Sequence, residues 1–226
     1  MAARTAPRIE RHPASSRPCD PGFAHLCLYT GDAQGLFDRL HRNGFRSRGP
    51  VVTVSAGPHA GAKAVYTLDP DGFAVELYQR AGENGPPEVT GFFHHGLTVR
   101  DMEATLAFWL GALGVELESR GVRAGAAVAP VVGVEPESME AVFVSLPRDR
   151  TPIELFEYRG IERHPATARD EDPASSRLAL RVADPEALRE RIGGDHDRHG
   201  TPRVPTPDGY PVLLLPAAGS RIPAHR

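Results

Sequence analysis

The chain has 226 residues, 40% of them hydrophobic, enough to build a real core, with 26 basic against 29 acidic side chains and a formal net charge of −3. The basic residues are scattered rather than blocked, which excludes a ready-made field for nucleic acid, and no run is long and apolar enough to span a bilayer. Two cysteines, Cys19 and Cys27, are too few for a disulfide framework and fit a reducing cytoplasm.

Residues 1–21 are polar and Pro-rich, lack the apolar stretch of a secretory signal, and are expected to form a flexible N-terminal segment. A first unit, 22–80, opens with the alternating run FAHLCLYT. Its helix is capped by Asp32, carries Leu36, Phe37 and Leu40 on one face and stops at Asn43-Gly44. The turn Asp69-Pro70-Asp71-Gly72 then launches a closing strand, AVELYQ. After the polar stretch 79–89, a longer unit, 91–158, repeats the order: FFHHGLTV, a helix capped by Asp101 with Met102, Leu106, Trp109, Leu110 and Leu113 on one face, and strands ending in TPIELFEY. After a second polar stretch, 163–175, a third unit over 176–216 has RLALRV, a helix with Asp184 at the cap and Pro185 at the first turn, and TPDGYPVLLLP. The hexapeptide IERHPA occurs at 9–14 and again at 161–166, and duplication is the simplest explanation of the whole pattern.

The segment HHGLTVRDMEATLAFWLGALGVEL resembles the opening of a unit of the vicinal oxygen chelate superfamily (glyoxalase, bleomycin resistance protein, extradiol dioxygenase). The runs IELFEY and DPDGFAVELYQ resemble its closing strands. The resemblance implies an α+β fold of repeated βαβββ modules, paired into a cup-shaped curled sheet. It also implies a divalent metal (Fe, Ni, Zn, Co or Mn) held by the first histidine and last-strand glutamate of each module. Carried over to this sequence, the ligands are His25, Glu76, His94 and Glu154, with Glu76 or Glu154 as the catalytic base.

Strand alternation agrees with that assignment. His25, Cys27 and Tyr29 share one face of their strand, and His94, Gly96 and Thr98 share one face of theirs. Each glutamate is flanked by apolar residues, and a charge in mid-strand opposite a packed face needs a partner. A slip of one residue in register puts His95 in place of His94. His12, His59, His164, His196 and His199 lie in polar or Gly/Pro-rich stretches and read as solvated. Lys63, after the loop GPHAGA, is a candidate contact for a substrate anion.

The third unit has Arg177 and Leu213 where the ligands are expected and is shorter by 15 residues, since 213 − 177 = 36 against 76 − 25 = 51; it reads as a degenerate module. In a four-module ancestor the first module would be the one lacking here, and the second and third would pair with each other. The C-terminal unit is then expected to cover the cup, pair with a second chain, or close a homodimer interface. Three activities fit: a glyoxalase-like lyase or isomerase that moves a proton on a small oxygen-rich substrate, an iron-dependent extradiol-type dioxygenase, or a drug-sequestering binding cup. The ruined ligands of the last unit count against a standard extradiol arrangement. Two imidazoles and two carboxylates count against a mere binding cup.

Overall fold

A computed structural model describes residues 17–55, 57–148, 150–164 and 175–217. Three βαβββ units follow one another. The first comprises β1 (Gly22–Thr30), α1 (Ala33–Arg42), β2 (Val52–Thr53), β3 (Lys63–Leu68) and β4 (Ala74–Gln79). The second comprises β5 (Val89–Thr98), α2 (Met102–Leu106, continued by a π-helical turn Ala107–Ala112), β6 (Glu116–Ala124), α3 (Gly125–Val132), β7 (Ser138–Ser145) and β8 (Pro152–Arg159). The third comprises β9 (Leu178–Val182), α4 (Pro185–Ile192), β10 (Asp195–His196), β11 (Pro202–Pro205) and β12 (Pro211–Pro216).

The same local chemistry starts and stops the helix of each unit. The carboxylates of Asp32, Asp101 and Asp184 accept the backbone N–H three residues on, at 3.0, 2.9 and 3.0 Å, satisfying donors that the first turn leaves open. Gly44, Gly114 and Gly193 follow the helices at φ +84, +69 and +83°, a conformation that costs glycine nothing. The third unit retains all four strands despite its length. What is trimmed is mainly the connections: nine residues join α1 to β2 and nine join β2 to β3, against two and five at the same places in the third unit.

The first two units form one eight-stranded sheet in the order β2-β3-β4-β1-β5-β8-β7-β6. Within each unit the first and last strands are parallel neighbours, and the two units join where β1 meets β5 antiparallel. The join therefore brings both first strands and both last strands to the centre of the sheet. On its convex side, α1 covers a core of Leu36, Val65 and Leu77. The third unit has its own four-stranded sheet, β10-β11-β12-β9. One face of it, with Leu180, Val204, Val212 and Leu214, shares a single core with Trp109 and the backs of β5, β7 and β8. Trp109 and Leu214 are fully buried, and burial of a large apolar side chain contributes roughly 1.5–3 kcal/mol.

The N-terminal segment, expected to be flexible over 1–21, is packed where it is described. Thr98 donates to the Pro18 carbonyl, Cys19 is buried, and Asp20 accepts from the backbone N–H of His164 at 2.8 Å. Residues 1–16, including His12, lie outside the described residues. No helix among the described residues is long and apolar enough to cross a membrane.

A candidate metal centre at the junction of two modules

His25 stands on β1, Glu76 on β4, His94 on β5 and Glu154 on β8, and each offers a ligand atom within 4.8 Å of the others. The register that brings them together is the same in both units. The last-strand glutamate lies beside the residue two positions after the histidine, Cys27 beside Glu76 and Gly96 beside Glu154. Across the junction His25 faces Gly96 and His94 faces Cys27. The absence of a side chain at Gly96 is a steric requirement: a Cβ there would stand 2.2 Å from Cε1 and 2.3 Å from Nδ1 of His25.

All four residues are buried. The two Nε2 atoms lie 2.7 Å apart, Glu154 Oε2 is 3.0 Å from His94 Nε2 and 3.5 Å from His25 Nε2, and Glu76 Oε2 is 3.3 Å from His25 Nε2. Glu76 Oε2 is also 3.6 Å from His94 Nε2, so it makes ion-pair contacts to both rings but no hydrogen bond. Burial pulls the His25 imidazolium down, but Glu154 and Glu76 overcome it and hold the ring at about 9. Burial likewise opposes charge on Glu154, yet the His94 and His25 rings hold its carboxyl well below the usual carboxylate range. Two facing imidazole nitrogens and two buried carboxylates around one point fit a divalent first-row ion.

His95 faces the other side of β5, packs on Phe23 with ring centroids 5.2 Å apart, and is pushed down to about 4, chiefly by burial. It takes no part in the cluster. Cys27 and Tyr29 do share the cup face with His25; the Cys27 thiol is fully buried and pushed well above its ordinary value by burial and by Glu76, which leaves it protonated. Aromatic rings wall the imidazoles, Tyr66 and Phe156 against His25 and Phe93 and Phe143 against His94.

Two side-chain expectations need correction. His59, read as solvated, is half-buried: its Nδ1 lies 2.8 Å from the Tyr78 hydroxyl, and it packs on Phe143 at 5.8 Å. The aromatic partners reach it from distant strands, so a local reading of GPHAGAK misses them. Lys63 pairs with Gln79 and so falls on the α1 side of the sheet, opposite the cup face that carries Ala62 and Ala64. It is not placed to meet an anion in the cup.

In the third unit Leu213 pairs with Ala179, two residues after Arg177, so Arg177 and Leu213 occupy the register of the two ligands. The face on which those ligands would stand is turned away from the core, with Ala179 and Arg181 exposed.

A family model described as Glyoxalase/Bleomycin resistance protein/Dioxygenase superfamily matches residues 91–210, more than half of the chain. A lactoylglutathione lyase from Arabidopsis thaliana is 32% identical over 105 residues, 46% of this chain and 34% of that protein. The chain thus spans about a third of the length of that relative. Glyoxalase I from Zea mays superposes with a TM-score of 0.60 at 20% identity, over 88% of this chain and 68% of that one, a likeness of fold alone.

Proposed function

The chain belongs to the glyoxalase/bleomycin resistance protein/dioxygenase superfamily, and on that premise we propose that it is a metal-dependent enzyme that moves a proton on a small substrate bound through neighbouring oxygen atoms, as a glyoxalase-type lyase or isomerase does. His25, Glu76, His94 and Glu154 would hold the ion. When bound, such an ion supplies Lewis acidity to the two substrate oxygens and stabilises the negative charge that develops as a proton leaves the adjacent carbon.

The observation that carries this reading is the convergence of two imidazoles and two carboxylates, all buried, on one point. Each carboxylate sets its Oε2 against both imidazoles, Glu154 at 3.0 and 3.5 Å and Glu76 at 3.3 and 3.6 Å. Glu154 lies nearer to its closest imidazole than Glu76 does, so we assign Glu154 as the more firmly held ligand and Glu76 as the base that accepts a carbon-bound proton and returns it to the neighbouring carbon. The histidines orient the centre through the reciprocal packing of His25 on Gly96, and the aromatic walls exclude water from a carbanion-like intermediate.

Elemental analysis of protein purified without chelators or a histidine tag, beside the Glu154→Ala variant, tests the centre. About one equivalent of nickel, zinc, cobalt or manganese, lost in the variant, is expected. Lactoylglutathione, named in the Arabidopsis relative, is the first substrate to assay. With it, or with whichever substrate is found, Glu76→Gln should abolish exchange of the substrate carbon's hydrogen with heavy water. Iron together with oxygen uptake would replace this reading by the dioxygenase. No metal in either protein, even after soaking, would leave the binding cup.

A further inference from the structure

The cup is filled on one side of the four-residue cluster and open on the other. On the filled side α3 inserts Val128 and Val132 among Ala24, Tyr66, Met139 and Phe156. On the other side lies a cleft of about 260 Å³ between Tyr29, His59, Tyr78, Arg80 and Phe93, floored by Ala62.

The wall between cleft and cluster is a β-bulge. The register of β1 with β5 passes from Cys27–His94 directly to Leu28–Phe92, so Phe93 is an extra residue in β5. The bulge turns Phe93 into the cup beside its neighbour His94, where its ring stacks on Tyr29 at 4.6 Å and meets the His94 ring at 4.6 Å. Phe93 therefore touches a proposed metal ligand and lines the cleft as well.

The polar side chains of the cleft are Arg80, His59 and two tyrosine hydroxyls, all able to donate. The Arg80 guanidinium lies flat over Tyr29, 3.6 Å from the ring centroid, and the acid nearest to it, Glu83, is 4.0 Å away, beyond hydrogen-bond reach. His59 has Nδ1 2.8 Å from the Tyr78 hydroxyl. Burial disfavours the charged imidazolium of His59, so Arg80 is the cation that the cleft offers. An aromatic slot whose cation is already stacked on one ring has no call for a second cation. Its spare hydrogen-bonding capacity suits a negative oxygen.

We propose that this cleft is a binding site for a planar aromatic or conjugated carboxylate, its rings laid against Phe93 and Tyr78 and its carboxylate on Arg80. Along β4 and the residue that follows it, the cup side runs Glu76, Tyr78, Arg80, a reach of roughly 13 Å at the usual strand rise. Resting on the reading of the cluster given above, this makes the substrate an elongated molecule, with its paired oxygens at the cluster and an anionic planar arm in the cleft. The cleft's own ligand class does not depend on the metal.

The test titrates the full chain, as purified and after removal of metal by chelator, with 2-naphthoate and with neutral 2-naphthamide, following heat and the side-chain resonances of His59. Naphthoate should bind both preparations, shift His59, and weaken about tenfold in Arg80→Gln, the loss expected for a charge-assisted contact. Naphthamide should be indifferent to that substitution. Arg80 is largely exposed, so its replacement leaves the fold intact. Equal affinity in wild type and Arg80→Gln overturns the proposal, as does naphthoate binding that disappears with the metal, which would put the carboxylate on the ion instead. A protein that proves metal-free but still binds naphthoate through Arg80 would sink the enzymatic reading and spare the cleft.

Discussion

The second and third modules are built to one plan and put to different use. Both open with a strand, cap a helix with an aspartate, end it on a glycine, and close on a strand parallel to the first at the same register. The second turns the cup face of its sheet toward a partner, and His94 and Glu154 meet His25 and Glu76 there. The third instead packs its core face against the back of the second, which leaves the register positions of Arg177 and Leu213 on its outer face. The module alone does not make a centre. Antiparallel pairing of two first strands does, because only that junction converges four side chains.

The sharpest way to break this comparison is to remove one ligand at the junction. His94→Ala should lose most of the bound metal by elemental analysis, while His95→Ala, one residue along the same strand, should keep it; the reverse would mean that the centre lies elsewhere. Next in size is the attachment of the third module. Leu214→Ala removes a fully buried side chain and should cost about 2–5 kcal/mol in denaturant unfolding. Metal content should not change, and a parallel loss of metal would show that the third module supports the centre.

The smallest effect contrasts two aspartates that tie segments together. Asp20 accepts from the Arg17 and His164 backbones; burial opposes its charge, but these bonds hold its pKa below the ordinary value. Its stabilising contribution is therefore full above the ordinary aspartate range and is lost as pH falls through the depressed folded value. Asp208 accepts from the Arg100 N–H, but burial raises its pKa, and Oδ2 has no partner. Its folded form favours the proton, so its contribution is best at low pH and declines as pH rises through the raised value. At pH 7, Asp20→Asn should lower the thermal midpoint and Asp208→Asn should raise it. Shifts of the same sign in both variants would break the contrast.

Much of this was legible in the sequence because it is written locally. Asp32, Asp101 and Asp184 as caps, Gly44 as a helix stop, and the alternation that puts His25 and His94 on one face depend on neighbours within a few residues. The equivalence of Arg177 and Leu213 with the ligands was likewise open to reading, because interval and flanking pattern carry it. What was hidden depends on strands far apart. A bulge has no spacing signature of its own in FFHH, so the inward turn of Phe93 emerges only when β5 is laid on β1. His59 looks solvated until Tyr78, Phe93 and Phe143 arrive from three other strands. The bound form of residues 17–21 depends on the 161–164 segment, 145 residues away at the Arg17–Glu162 contact.

The junction also leaves a trace by which partners can be told apart. Each histidine faces the residue two positions after the other histidine, so His25 lies over Gly96 and His94 over Cys27. Two modules can therefore mate only if each is small at that one position, a compatibility rule carried by residues that bind nothing. In a chain with several such units, reading the residue two after each histidine would sort mates from bystanders before any ligand is considered. Ala179 still meets that rule in a module whose ligands are gone.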